Sequence, residues 1–380
     1  MLFRSVQTLK DNWDGNRIKG KSLEVSEDNQ RLQDLENIIY EIEREALRNK
    51  KIHSIDIVEQ KFRIQLDIKS HKSEFTALYE IFIDAAVATK AEATIKAYKT
   101  TYNRLTDFSK SKQVDLSFEN INTNFYNKFV NYLISDRGQL NNSVGKYIKN
   151  LKTFLNYVKN NELVKTNFNL NGFKILKNDI DIIALSQEEL WQMYYVKDLP
   201  QSLEYVKDYF CFECFTGLRF SDISKLETNN IKGDFIELRT QKTRELLYIP
   251  LNSFAKEIIE KYQGKFETRP IPPTFSNQKS NEYIKDVAEL AGIRENMIIE
   301  KFSGAKCITI RKQKCDLIST HTGRKTFITL SHERGMPIEM IMKITGIKKW
   351  ETLKKYLKIS EKAKLSQMNE FWNNKLKSSN

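Results

Sequence analysis

Apolar residues recur at spacings of three and four along most of this chain, so most of it is expected to be helical. Leu32, Leu35, Ile39, Ile42 and Ala46 make one such stripe between residues 27 and 49, and a short second helix is expected from Ser54 with Ile57 and Phe62 inward. Residues 73–160 read as four helices without a strand signal. The last of them carries Val144, Ile148, Leu151, Leu155 and Val158 on one face, and Ser73 and Asn141 are N-cap candidates. The period lapses over NELVKTNFNLNGFKILKNDI, rich in Asn and Lys, which reads as a linker. Beyond Leu185, helical and strand periods mix. LSQEELWQMY opens on the capping box Ser186-x-x-Glu189. DFIELRT (234–240) and RELLYIPL (244–251) are β-rich runs whose turn holds Lys242, and KCITIRKQKCDLIST (306–320) alternates as a hairpin or loop. Over 361–377, Leu365, Met368 and Trp372 fall on one helical stripe, suited to docking on the chain's own domain or on a neighbouring subunit. The expected fold class is mainly α with a small antiparallel β component. Its parts are a mostly helical region 1–70, a helical domain 71–165, a linker 166–184 and an α+β domain 185–380 with a tail helix.

Composition narrows the function. A chain of 380 residues exceeds one ordinary core, and 40% hydrophobic content is enough to pack two or three. Lys and Arg number 62 against 49 Asp and Glu, a net charge of +13, which fits a polyanionic partner, most simply nucleic acid, and fits a merely basic soluble protein equally well. The start, MLFRSVQTLKDNWD, has no apolar core of a signal peptide. No run approaches the ~18 apolar residues of a membrane span. Four cysteines in so long a chain fit a reducing cytoplasm. Cys211 and Cys214 have CxxC spacing, but within the apolar run YFCFECFTG they read as buried structural thiols, and no metal is expected.

The candidate chemistry lies in four short stretches. HTGRKTF (321–327) sets His321 and Arg324 one helical turn apart, so both can face one object. TGLRF (216–220) supplies Arg219, TQKTR (240–244) supplies Lys242 on a hairpin tip, and ITGIKKWETLKKYL (344–357) supplies Tyr356. Two arginine forks can clamp the non-bridging oxygens of a phosphodiester without a metal. A phenol with a pKa of ~10 needs a base or a strong positive field to attack, and His321 can serve as that base or as a hydrogen-bond partner. A lysine on a hairpin can protonate the leaving 5′-oxygen. His53, His71 and His332 have no partner pattern and read as structural or surface residues. Lys96 and Lys99, with Arg104, and Lys146, Lys149 and Lys152, beside Tyr147 and Tyr157, read either as phosphate contacts or as solvated helix faces.

In this order, the boxes resemble those of the tyrosine recombinases of the phage-integrase type, most closely integrases of mobile elements or prophages in Bacteroides-like bacteria. TGLRFSDISKL matches the first arginine box, with Asp222 at its acidic position. TQKTRELLYIPL matches the lysine hairpin, HTGRKTF the His-x-x-Arg box, and TGIKKWETLKKYL the tyrosine box. The resemblance covers roughly residues 73–360. It implies a helical SAM-like core-binding domain and an α+β catalytic domain, with Arg219, Lys242, His321, Arg324 and Tyr356 catalytic. It also implies a site-specific recombinase that cuts and rejoins double-stranded DNA through a 3′-phosphotyrosine, as a homo-tetramer on two DNA sites. No cofactor, metal or ATP is implied; a host DNA-bending factor is an allowed partner, and the implied location is the cytoplasm, on the nucleoid when DNA-bound. Members of this subgroup start with an arm-binding domain, and here only RIKGKSLEV and the helix after Glu27 resemble its end. One catalytic position departs: Ile347 stands where the family has His or Trp, and Trp350 or Lys348 is the expected substitute donor. The other readings are a catalytically impaired DNA-binding relative, such as an excision factor or relic, and a type IB-like topoisomerase.

Overall fold

The computed structural model describes residues 17–20, 23–48, 55, 58, 59, 61, 62, 74–164, 168–179, 181–356, 365, 368, 369 and 372. They form two compact units: residues up to Asn178 together with 302–306, and residues 179–301 together with those from 307 on.

The first unit begins with helix α1 (Leu23–Arg48), on which Leu35, Ile38 and Ile42 make a small core with Phe62. Ser54 and Ile57 of the expected second helix lie outside the described residues, as does the N-cap candidate Ser73. Four helices follow, as the periodicity predicts: α2 (Glu74–Val87), α3 (Glu92–Lys112), α4 (Thr123–Asn131), continued by one π turn, and α5 (Asn141–Asn160). Their core is aromatic. Phe75, Tyr79, Phe82 and Phe118 gather around Phe154, with the Tyr79 and Phe154 ring centroids 4.4 Å apart. Asn122 caps α4 by accepting from the amides of Asn124 and Phe125. Asn141 does not cap α5. It is the first residue of that helix, and its amide donates to Asn178 Oδ1 and to the carbonyl of Gly304, which groups with this unit.

Much of the expected linker is packed on these helices. Phe168 and Phe173 are buried in the same core. Tyr126 donates to the carbonyl of Lys174, and Lys152 to those of Leu170 and Phe173. A Cβ on Gly145 would stand 2.0 Å from the Leu176 carbonyl oxygen, so only glycine lets α5 approach this backbone.

The second unit is built around α7 (Gln201–Thr216), preceded by α6 (Gln187–Tyr195). Every residue of α7 from Val206 to Thr216 is buried, which is why its sequence shows no polar face. Packed around it are α6, α9 (Ser253–Tyr262), α10 (Asn277–Leu290) and α11 (Thr320–Glu333). The expected capping box forms at α6: Ser186 Oγ accepts from the Glu189 amide, and the Glu189 carboxylate from the Ser186 amide. After the short α8 (Phe220–Ile223) comes an antiparallel sheet in the order β1 (Ile231–Lys232), β2 (Phe235–Arg239), β3 (Leu246–Pro250). Its register sets Ile236 against Ile249 and Leu238 against Leu247, all four buried. A second pair, β4 (Asn296–Ser303) with β5 (Lys306–Gln313), precedes α11. The alternation over 306–313 is β5; the apolar run NMIIEKFS is its partner, a strand the periodicity did not mark. Helices α12 (Ile338–Thr345) and α13 (Trp350–Leu353) and the turn Lys354–Tyr356 close the described body of this unit. Leu365, Met368 and Trp372 of the tail are exposed. The architecture is mainly helical with small antiparallel sheets. No described helix is long and apolar enough to cross a membrane.

Candidate active site

Three segments of the second unit meet at Arg324. This residue lies on α11, is 2% exposed, and donates from Nη1 to the Gly217 carbonyl at 2.7 Å and from Nη2 to the Thr345 carbonyl at 2.6 Å. Gly217 is the left-handed C-cap of α7, φ +69, and a Cβ there would lie 2.5 Å from the Phe327 ring. Glycine therefore lets α7 stop against α11 with its carbonyl turned to the guanidinium. Two residues later, Arg219 is the N-cap of α8. Thr345 ends α12, and Gly346, φ +64, turns the chain toward the tyrosine. One guanidinium thus ties the segment bearing Arg219 to the segment bearing Tyr356. Burial, then the neighbouring Arg219, lowers the Arg324 pKa to about 10, which leaves it charged at neutral pH.

Asp222 adds the lysine hairpin. It is 4% exposed; Oδ1 accepts from the Gln241 amide at 2.8 Å, and Oδ2 stands 3.6 Å from Arg219 Nη1. Lys242, the next residue after Gln241, is exposed at the β2–β3 turn. Arg219 Nη1 is buried without a hydrogen-bond partner, so an anion entering the site finds a donor there.

Tyr356 sits half-buried in the last described turn. Its hydroxyl is 3.2 Å from His321 Nε2, and its carbonyl accepts from Thr329 Oγ1 at 3.2 Å. His321 as a residue is exposed. The surrounding protein, then the charges of Lys325, Arg324, Arg219 and Lys242, push its pKa down to about 4. A neutral imidazole has one nitrogen free to accept, so in the tautomer protonated at Nδ1 the phenol donates to Nε2.

The five catalytic candidates therefore gather in one unit. Two contributors escaped sequence reasoning. Thr329 holds the tyrosine's carbonyl. Glu213, on α7, is 1% exposed beneath the backbone amides of Phe220 and Arg324. A Cβ on Gly323 would come 2.9 Å from its Oε2, which accounts for that glycine. Burial drives the Glu213 carboxyl well above the usual range, which biases it toward its neutral form beside the arginines. A single charge inside the apolar run YFCFECFTG was the available signal.

Other expectations need correction or placement. Ile347 is 7% exposed in the core, its amide bonded to Met342 O at 3.1 Å. Of the expected substitutes, Trp350 is 44% exposed, and Lys348 Nζ pairs with Glu245 at 3.5 Å. In the first unit, Lys96 and Lys99 on α3 and Lys146 and Lys149 on α5 are exposed. Lys152 is spent on two carbonyls and is a brace for the segment after α5. Cys211 and Cys214 are buried free thiols, raised by burial. Among the described residues, no three His, Cys, Asp or Glu side chains gather as a metal site.

Residues 74–175 match the phage integrase SAM-like domain and residues 184–363 the phage integrase family. The chain belongs to that family, the tyrosine recombinases. A probable integrase/recombinase of Acholeplasma phage L2 is 22% identical over 269 residues, 64% of this chain and 79% of that protein. The lambda integrase fragment 75–356, as a dimer bound to a COC′ core site, superposes with a TM-score of 0.56 at 15% identity, covering 74% of this chain and 94% of that one. A lambda integrase tetramer bound to a Holliday junction gives 0.53 at 16% identity, covering 72% and 76%. This tyrosine recombinase thus shares their fold, and DNA recombination and integration are the processes in which it belongs.

Proposed function

We propose that the protein is a site-specific recombinase that cuts and rejoins double-stranded DNA through a 3′-phosphotyrosine. The observation that carries this reading is the Tyr356 hydroxyl at 3.2 Å from His321 Nε2, beside Arg219 and Arg324. In the proposed step, the Tyr356 oxygen attacks the scissile phosphorus and its proton passes to His321 Nε2. Arg219, through its unpartnered Nη1, and Arg324 carry the charge that grows on the non-bridging oxygens. The bond to the 5′-oxygen breaks, and Lys242 supplies that oxygen's proton. The phosphotyrosine keeps one phosphoester bond for another, so the reverse attack by a 5′-hydroxyl of a second strand reseals DNA without an external energy source.

The same reading assigns 1–70 to a partial arm-binding-type region, 71–165 to core DNA binding and 185–380 to catalysis. Lys96, Lys99, Lys146 and Lys149 contact phosphates. The active assembly is a tetramer on two DNA sites, with a host DNA-bending factor as a further partner, and the protein works on the nucleoid of a bacterium of Bacteroides type. Ile347, an apolar side chain at the usual donor position, favours one competing reading, a relative that binds DNA but cuts poorly.

A nicked suicide substrate separates the two. Wild type is expected to leave an SDS-stable DNA adduct. Tyr356→Phe keeps the ring and removes only the nucleophilic oxygen, so it is expected to bind DNA and leave none. An adduct from the Phe variant would assign the attack to another tyrosine; no adduct from wild type would support the impaired relative.

A further inference from the structure

Helix α11 offers the tyrosine one more cation than the reaction above uses. Positions 321, 325 and 329 are four apart and share one face of the helix. Both ends of this stripe touch Tyr356: His321 meets its hydroxyl and Thr329 its carbonyl, each at 3.2 Å. Lys325 lies between them. It is half-buried, and among the described residues it makes no hydrogen bond and no ion pair. The two most deeply buried lysines of this unit are paired: Lys207 stands 3.4 Å from Asp208, and Lys314 stands 2.6 Å from Glu189. A sheltered ammonium without a counter-ion is costly to fold, so its retention beside the nucleophile asks for a role.

We propose that Lys325, set on the helix face between the two residues that contact Tyr356, is a positioning residue of the cleavage step that keeps His321 able to take the phenolic proton. The inference rests on the cleavage reading. The groups facing His321 are Lys325 and Arg324 on its own helix, Arg219 from the start of α8, Lys242 from the β2–β3 turn and Tyr356 from the last turn. In the proposed reaction, Arg219, Arg324 and Lys242 are engaged by the phosphate, whose negative charge offsets theirs and draws the imidazole toward protonation. Lys325 lies along the stripe that holds the tyrosine, outside the set engaged by the phosphate, and burial lowers its own pKa. After the proteins's own packing around the ring, it is also the strongest of the four charges that disfavour imidazolium.

The test uses the whole chain. Side-chain ¹⁵N NMR of its four histidines gives each titration midpoint without DNA. Lys325→Met, which keeps an apolar stem of similar length, is expected to raise the His321 midpoint by roughly one pH unit or more, while His53, His71 and His332 stay put and report an intact fold. Lys325→Arg is expected to hold the wild-type midpoint. On a nicked suicide substrate, the acid limb of the single-turnover cleavage profile is expected to move up with the NMR midpoint in the Met variant and to stay in the Arg variant. An unmoved His321 midpoint in the Met variant overturns the inference, as does a moved midpoint with an unmoved limb. A moved midpoint in a protein whose wild type forms no adduct overturns the cleavage reading instead, and with it the assigned step.

Discussion

Ile347 lets packing and catalysis be separated at one position. Its N–H is fixed to Met342 O, and the preceding Gly346 is pressed so close to β3 that a Cβ there would lie 3.1 Å from Leu247 Cδ2. The side chain therefore has little room to move, and it shares a core with Leu247, Ile341, Ile344 and Leu353. Replacing it by His removes an apolar side chain worth about 2 kcal/mol of burial. It also places a polar ring where a missing partner costs about 1–3 kcal/mol. The expected loss is about 3–5 kcal/mol, or roughly 6–20 °C in Tm for a unit of this size. Were the position a vacant donor site, His would instead recover up to about 3 kcal/mol of transition-state stabilisation, near a hundredfold in rate. The two accounts have opposite signs in two assays. Differential scanning calorimetry is expected to show the drop in Tm, with Ile347→Val losing only about 1 kcal/mol. Single-turnover cleavage by Ile347→His is expected not to exceed wild type. An Ile347→His protein that melts with wild type and cleaves tenfold faster would refute the packing account.

Lys242→Ala is expected to slow cleavage by ~10²–10⁴ while binding stays nearly intact, and a 5′-thiol leaving group, which needs no proton, should restore the rate; failure of that rescue removes Lys242 as the acid. Affinity for duplex DNA should fall steeply with salt, the slope of log K against log salt gaining about −0.9 for each phosphate neutralised. Lys149→Gln should flatten that slope and Lys152→Gln should chiefly lower Tm, so a Lys152 effect on slope alone would contradict its role as a brace. Because the folded His321 pKa is lowered toward about 4, the unfolded chain takes up a proton that the folded one resists, and stability is expected to fall as pH drops from about 6.5. Urea midpoints at pH 7 and pH 5 should therefore differ more for wild type than for His321→Gln.

What was legible in the sequence is what local chemistry determines. The α5 stripe, the Ser186–Glu189 box and the β2–β3 hairpin each need only near neighbours, and each forms. The five candidate residues stood out in the sequence because their types are rare in combination, not because of their surroundings. What stayed hidden depends on distant partners. Asn141 has a cap residue's chemistry, but Asn178 and Gly304 claim its side chain. Lys152 looks like its neighbours Lys146 and Lys149 until the chain after α5 folds back and offers two carbonyls. The strand NMIIEKFS has apolar residues on both faces, so no alternation marks it, and pairing with β5 decides its state. Lys325 reads as an ordinary helix charge until Tyr356 is seen to touch the residues one turn to either side.

The way the charges are compensated explains how the site can be assembled before any substrate arrives. A carboxylate partner would hold Arg324 as well as the carbonyls of Gly217 and Thr345 do, but it would cancel the charge that a phosphate needs. Carbonyl dipoles stabilise the guanidinium and leave it formally positive. The buried carboxyl of Glu213 beside it is biased toward its neutral form, and Asp222 spends one oxygen on the Gln241 amide and holds the other 3.6 Å from Arg219 Nη1. The same bonds carry the geometry, since Gly217 leads to Arg219, Thr345 leads to Tyr356 and Gln241 precedes Lys242. Positioning and charge therefore come from one set of contacts, and a substitution that disturbs the set should alter rate and stability together. The exposed lysine at the β2–β3 turn is the member whose loss should alter rate alone.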